Sequence, residues 1–264
     1  MSRPGAFGSS LADLARVLLQ NGPHKTFTPS RRIRVILNHS VIADTTQAQY
    51  IWEHPGFPQI YIPWKELKNS TSTDIEWINS ETIPQAAAVV QLTVPATEGI
   101  EERKTDRVLR FVDDKALGPL AGLVRLEFGS MDQWLEEDVP IFAHPKDPFK
   151  RLELLPSSRP IQVKVGGKTV AKAASSVHLH ETGLPVRYYL SLGAVDQSVL
   201  RKSDLTTVCP YKGVAEYYHV VVDGQTYENV VWYYNHPTQE SFGITGLLSF
   251  YNEKVTILVD DEAK

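Results

Sequence analysis

Two distant stretches of this chain carry one pattern, and that repetition limits the fold more than any other feature. Residues 35–43, Val-Ile-Leu-Asn-His-Ser-Val-Ile-Ala, lie over residues 163–171, Val-Lys-Val-Gly-Gly-Lys-Thr-Val-Ala. Residues 53–61, Glu-His-Pro-Gly-Phe-Pro-Gln-Ile-Tyr, lie over residues 181–188, Glu-Thr-Gly-Leu-Pro-Val-Arg-Tyr, with one residue inserted. Ala121-Gly122-Leu123-Val124 lies over Thr245-Gly246-Leu247-Leu248. Two long copies make a duplicated domain, since a solenoid needs several short repeats stacked in series. The expected division is a tail over residues 1–30, a first copy over 31–142, a linker over 143–158 and a second copy over 159–262. The linker is placed where His144-Pro145-Lys146-Asp147-Pro148 and Pro156-Ser157-Ser158 interrupt the pattern.

Inside each copy the apolar residues alternate in short runs, which is the period of a strand. Asn38-His39, Gly166-Gly167 and Asp223-Gly224 each separate two such runs and predict hairpins with tight two-residue turns. Asn252-Glu253 is expected to join residues 247–251 to residues 255–259 in the same way. Only residues 195–202 read as briefly helical. The tail is expected to hold one short helix: Ser9 or Ser10 can cap it, Leu11, Leu14, Ala15, Leu18 and Leu19 share a face, and Gly22-Pro23 stops it. The expected fold class is therefore all-β, with two tandem domains of small antiparallel sheets and a short N-terminal helix. That helix is expected to pack on the domain surface or to bind a partner.

Charge and composition narrow the function. The net charge is −4, so no global field favours nucleic acid or an anionic membrane surface. No apolar run approaches the roughly 20 residues that span a bilayer, and residues 1–10 lack a charged and then apolar leader. The single cysteine excludes an intrachain disulfide and any Cys-based zinc cluster, and fits a cytoplasmic setting.

That cysteine stands in Cys209-Pro210-Tyr211-Lys212-Gly213, which places a thiol, a phenol and an ammonium together. Pro210 biases Cys209 to extended backbone, and Lys212 beside it favours the thiolate; a small buried hydrophobe is the other reading. Lys212 can hold a carboxylate, carbonyl or phosphate, with Gly213 allowing the turn that aims it inward; the other reading is a solvated turn lysine. Glu181 and Arg187 bracket the turn at residues 182–186. They read as a general base beside an anion-binding fork, or as an ion pair across the hairpin mouth. The first copy has Glu53 but Ile60 where Arg187 stands, and nothing like the Cys-Pro-Tyr-Lys-Gly stretch, so the chemistry is expected in the second copy. His178 and His180 share a strand face, and a metal there would need His219 as third ligand; no metal is expected. Tyr188, Tyr189, Tyr211 and Trp232 are the expected substrate-binding aromatics, and alternation puts Trp232 and Tyr234 on one face with Tyr233 on the other.

Residues 181–185, Arg187-Tyr188-Tyr189, Cys209-Pro210-Tyr211-Lys212-Gly213 and residues 246–251 together resemble the DUF427 family in its two-copy form, over residues 31–262. The resemblance implies a β-tent fold, akin to Mss4-like and methionine sulfoxide reductase B-like domains. It does not carry over their zinc, for want of cysteines. A nucleotidyltransferase label attached to the family finds neither a Gly-rich phosphate loop nor a paired-aspartate motif here. The expected function is a cofactor-independent enzyme on a small organic metabolite, of isomerase, cyclase or hydrolase type. A non-catalytic small-molecule-binding module and a protein-interaction scaffold are the rivals. The expected state is a monomer, the duplication standing in for a dimer.

Overall fold

The computed structural model describes residues 10–264; the reading of residues 1–9 as leaderless, and Ser9 as a helix cap, lie outside them. The chain divides into two compact units, one ending at Asp147 and the other spanning Pro148–Lys264. Among the described residues no helix is long and apolar enough to cross a membrane.

The first unit opens with α1 (Leu11–Asn21), capped by the Ser10 hydroxyl, which accepts from the Asp13 N–H. Its strands are β1 (Lys25–Phe27), β2 (Ile33–Leu37), β3 (Ser40–Thr45), β4 (Gln49–Trp52), β5 (Gln59–Pro63), β6 (Thr71–Ile78), β7 (Ala87–Val94), β8 (Arg103–Phe111), β9 (Leu123–Leu126), β10 (Gln133–Glu136) and β11 (Val139–Ile141). They form a 7-stranded sheet in the order β1-β4-β5-β9-β8-β7-β6 and a 4-stranded sheet in the order β11-β10-β2-β3.

The second unit repeats this with β12 (Leu152–Ser157), β13 (Ile161–Val165), β14 (Lys168–Ala173), β15 (Ser176–Glu181), β16 (Arg187–Leu190), β17 (Leu200–Cys209), β18 (Gly213–Val222), β19 (Gln225–Tyr233), β20 (Leu248–Phe250), β21 (Thr256–Val259) and β22 (Glu262–Ala263). The 7-stranded order is β12-β15-β16-β20-β19-β18-β17 and the 4-stranded order β14-β13-β21-β22. Strand for strand, the two large sheets have one topology, and every pairing between named strands is antiparallel. The duplication and the all-β class are thus features of the molecule.

The turns follow from residues that accept a left-handed backbone. Asn38 and His39, Gly166 and Gly167, and Asp223 and Gly224 all have positive φ, the geometry of a two-residue hairpin whose twist matches its strands. Two expectations fail. Residues 195–202 are not a helix: 3₁₀ turns at Leu192–Ala194 and Gln197–Val199 lead straight into β17. Seven consecutive exposed or half-buried positions, residues 196–202, give a helix nothing to pack against. Nor does Asn252-Glu253 close a hairpin, because β20 belongs to the large sheet and β21 to the small one. The polar turn carries the chain across between sheets. The stretch expected as linker also supplies β12, which pairs along β15 from Leu152↔Glu181 to Ser157↔Ser176.

Each large sheet has two buried faces. In the second unit one face packs against the small sheet through Tyr188, Leu190, Val231, Tyr233, Leu248 and Phe250, meeting Val163 and Ile257. The opposite face gathers Leu179, Tyr189, Ala215, Tyr217, Trp232 and Tyr234. The first unit covers its equivalent face with α1, whose Leu11, Leu14, Ala15 and Leu18 bury against Ile51, Tyr61, Leu109 and Phe111. Each buried leucine there contributes about 1.5–3 kcal/mol. The apolar side of the helix is therefore spent inside its own unit.

Candidate functional site

The candidate site lies on the face of the second unit that gathers Tyr189, Tyr217, Trp232 and Tyr234. Its frame is the turn between β17 and β18. Gly213 sits at φ 99, and a Cβ there would lie 3.1 Å from the His236 carbonyl oxygen, so only glycine fits. The turn is also tied to residues 238–241. The Thr238 N–H donates to the Lys212 carbonyl at 3.2 Å, and the Ser241 and Thr238 hydroxyls both donate to the Tyr211 carbonyl. These bonds fix the backbone of Lys212 and with it the direction of the ammonium.

Lys212 meets Glu181 at 2.5 Å, and Lys150 meets the other oxygen of the same carboxylate at 3.1 Å. Glu181 is buried and both lysines are largely so. Burial alone would raise its carboxyl pKa; hydrogen bonds and charge from Lys212, then Lys150, outweigh that and hold it below the ordinary range. Glu181 is thus a carboxylate at neutral pH.

Beside this triad lies a cavity of about 190 Å³, lined by Glu181, Lys212, Arg187, Leu184 and Pro185, and walled by Tyr189, Tyr217, Trp232, Tyr234 and Tyr251. The Trp232 indole donates to the Tyr189 hydroxyl at 3.0 Å, with the rings edge to face. Trp232 and Tyr251 rings lie 4.5 Å apart. Burial pushes the phenols of Tyr189, Tyr234 and Tyr251 well above their usual value, so all three are protonated.

The expected site residues divide on inspection. Lys212, Glu181, Arg187, Tyr189 and Trp232 line one cavity. Arg187 does not pair with Glu181. Its fork takes Glu253 at 2.7 and 2.9 Å, and its guanidinium lies 5.7 Å from the Trp232 ring centre. Two lysines already satisfy Glu181, while Glu253 offers Arg187 a free bidentate partner. Tyr188 belongs to the opposite face, edge to face with His178 in the core between the sheets, because neighbours on a strand point to opposite sides. Tyr211 is buried behind the turn, with the Lys150 ammonium 5.5 Å from its ring centre. Cys209 is half-buried and shares the sheet face of Thr207 and Tyr217. His178 is buried, His180 is exposed, and His219 accepts from the Asn229 N–H.

The first unit carries different side chains on the same face. Pairing of Leu179 with Arg187 and of Ile51 with Gln59 aligns the two hairpins without an insertion. Gln59, not Ile60, stands where Arg187 stands. The first unit also has an arginine after all, on another strand. Arg125 faces Tyr61 across β5 and β9, as Ser249 faces Tyr189 across β16 and β20. Arg125 binds Glu53 at 2.5 Å, and the Tyr61 hydroxyl donates to Glu53 at 2.9 Å. By the same registers Val89, Leu109 and Phe111 replace Tyr217, Trp232 and Tyr234. The carboxylate persists in both units, neutralised by one arginine in the first and by two lysines in the second. Where Arg125 fills the first unit, the second has only Ser249, whose buried hydroxyl has no partner, and an open cavity.

Lys150 and Ser249 were not legible as site residues. Lys150 sits in a stretch that reads as a linker, and a serine flanked by apolar residues gives no signal. A larger recess of about 850 Å³ lies in the first unit. Its Arg110 is already bonded to Asp74 at 2.9 Å and stacked near Trp64 and Trp77. It gathers no convergent set of groups like the one at Glu181.

No curated protein matches the chain. The family described as Domain of unknown function (DUF427) matches it twice, over residues 26–137 and 153–261. Those spans take in all but one end residue of each large sheet and every residue that lines the cavity at Glu181, so the chain is a member of the DUF427 family and carries two copies of its domain.

Proposed function

We propose that the protein is a cofactor-independent enzyme acting on a small organic metabolite, with its reaction centre in the cavity at Glu181. The observation that carries this is a set of convergent ionised and hydroxyl groups in one buried aromatic recess. Lys212 and Arg187 supply positive charge where negative charge develops on the substrate. Glu181 is held ionised by its lysines and is a weak base at neutral pH, so its part is to orient the two ammonium groups. Proton movement falls to Tyr189. Its oxygen accepts from Trp232, which leaves its own O–H to donate. Such a set suits isomerisation, cyclisation or hydrolysis of a substrate that passes through an oxyanion.

On this reading the protein works as a monomer in the cytoplasm, with a small molecule and not nucleic acid as its partner. A non-catalytic binding module is the second reading, favoured by the share of the wall that is aromatic. To separate the two, ligands found by thermal shift are incubated with the protein and followed by NMR. Turnover by the parent, lost in Lys212→Ala and in Tyr189→Phe while the fold is kept, supports the enzyme. Binding without conversion of any ligand excludes it in favour of the binding module.

A further inference from the structure

We infer that the cavity at Glu181 takes a small planar carboxylate, a ring or conjugated chain bearing one carboxyl group. This rests on the reading of that cavity as the functional site, and it names the ligand class.

The first ground is a surplus of donors. The carboxylate in the wall, Glu181, already receives one lysine on each oxygen. Lys212 has three N–H donors and spends one on Glu181. The Tyr189 hydroxyl is an acceptor for Trp232 and has no acceptor of its own among the described residues. The Tyr234 hydroxyl, in the same wall, has no hydrogen-bond partner among them. A recess with donors left over and its one carboxylate engaged is complementary to a ligand rich in acceptor oxygens, which supplies those donors with partners.

The second ground is charge. Lys150, Lys212 and Arg187 face Glu181 and Glu253, which leaves one positive charge uncompensated. A single negative charge on the ligand balances it. The third ground is shape. A volume of about 190 Å³ corresponds to roughly six waters at about 30 Å³ each, which suits one ring with a short substituent. The walls are flat aromatic faces and edges that favour another flat group.

The test uses the full chain and isothermal titration with four probes. Benzoate carries both features. Benzyl alcohol keeps the ring without charge, cyclohexanecarboxylate keeps the charge without planarity, and inorganic phosphate keeps only the anion. Benzoate is expected to bind at least about tenfold more tightly than each of the others. Lys212→Met and Tyr234→Phe are each expected to weaken it about tenfold or more, as loss of a hydrogen bond to a charged group does. Tyr234→Phe removes a hydroxyl with no protein partner, so its fold is expected to survive even if that of Lys212→Met does not. Equal binding of benzyl alcohol overturns the anion, and equal binding of cyclohexanecarboxylate overturns the planar body. Equal binding of phosphate overturns the ring. In those three cases the cavity stands as the site. If benzoate does not bind, or binds unchanged in both variants, the inference and the site reading fall together.

Discussion

Glu181 shows how a buried charge becomes tolerable. An isolated carboxylate in that position would protonate or unfold its surroundings, and two ammonium groups prevent this. The sign of its pH dependence follows. Its carboxyl is held below the ordinary value near 4.5, so its stabilisation is complete above that value. It is lost as pH falls through the lower folded value. Lys212→Met is expected to cost about 1.5–3 kcal/mol at pH 6, with the gap to the parent narrowing below pH 4.5, as read by urea denaturation at several pH values. A gap that stays constant on acidification would contradict the pairing. His178 works in the opposite charge sense. Burial, then the charges of Arg159 and His180, lower its pKa from 6.5, and its Nε2 is buried without a partner. It folds neutral, so stability is complete above pH 6.5 and declines as pH drops toward the lower folded value. His178→Phe is expected to flatten that decline in melting curves between about pH 7 and 5. At this scale the sequence was informative about type and silent about partner. Lys212, Glu181 and Arg187 stand out as chemistry-bearing residues, but which cation meets which anion is decided by through-space registers. Glu181 chose Lys150, which lies far from it in the sequence, over the nearer Arg187.

At the scale of strands and turns, the two-residue hairpins were legible, while the helix expected over residues 195–202 was not formed. The Asn-His, Gly-Gly and Asp-Gly turns close hairpins because their positive φ values are set by the turn residues themselves. The failure at Asn252-Glu253 is one of sheet membership, which a turn pattern does not encode. The difference between the copies is likewise a matter of cross-strand registers. Arg125 and Ser249 occupy one position of β9 and β20; Arg125 reaches the carboxylate of its unit, while the Ser249 hydroxyl has no partner. Arg125→Met is therefore expected to destabilise the first unit by about 3–5 kcal/mol, since it strands the buried Glu53. A shift in its denaturation midpoint would measure this, and a change within experimental error would contradict it. The reciprocal substitution, Ser249→Arg, brings into the second unit the side chain that fills the first. It is expected to close the cavity, with the added guanidinium competing with Lys150 and Lys212 for Glu181, and circular dichroism checks that the fold is kept.

For the whole molecule, duplication has left two copies of one sheet topology with different side chains on the same face. The first unit pairs its carboxylate with an arginine, has Val89, Leu109 and Phe111 in place of three polar-tipped aromatics and covers the face with α1. The second has a cavity on that face. The repeat in the sequence announced the duplication, and the residues absent from its first copy directed attention to the second. It did not announce that α1 would cover the first, because an amphipathic helix carries no address for its partner. Since the second unit has its own core, residues 148–264 expressed alone are expected to melt cooperatively and to bind the same ligands as the full chain, by calorimetry. The most direct test of the central claim is a thermal-shift screen of the parent and Ser249→Arg against one library of small metabolites. A ligand at about 100 times its dissociation constant adds roughly 2.7 kcal/mol, which moves the melting temperature visibly. The account predicts a class of ligands that stabilises the parent and leaves Ser249→Arg unmoved. Ligands that stabilise both proteins equally would place the site elsewhere and contradict it.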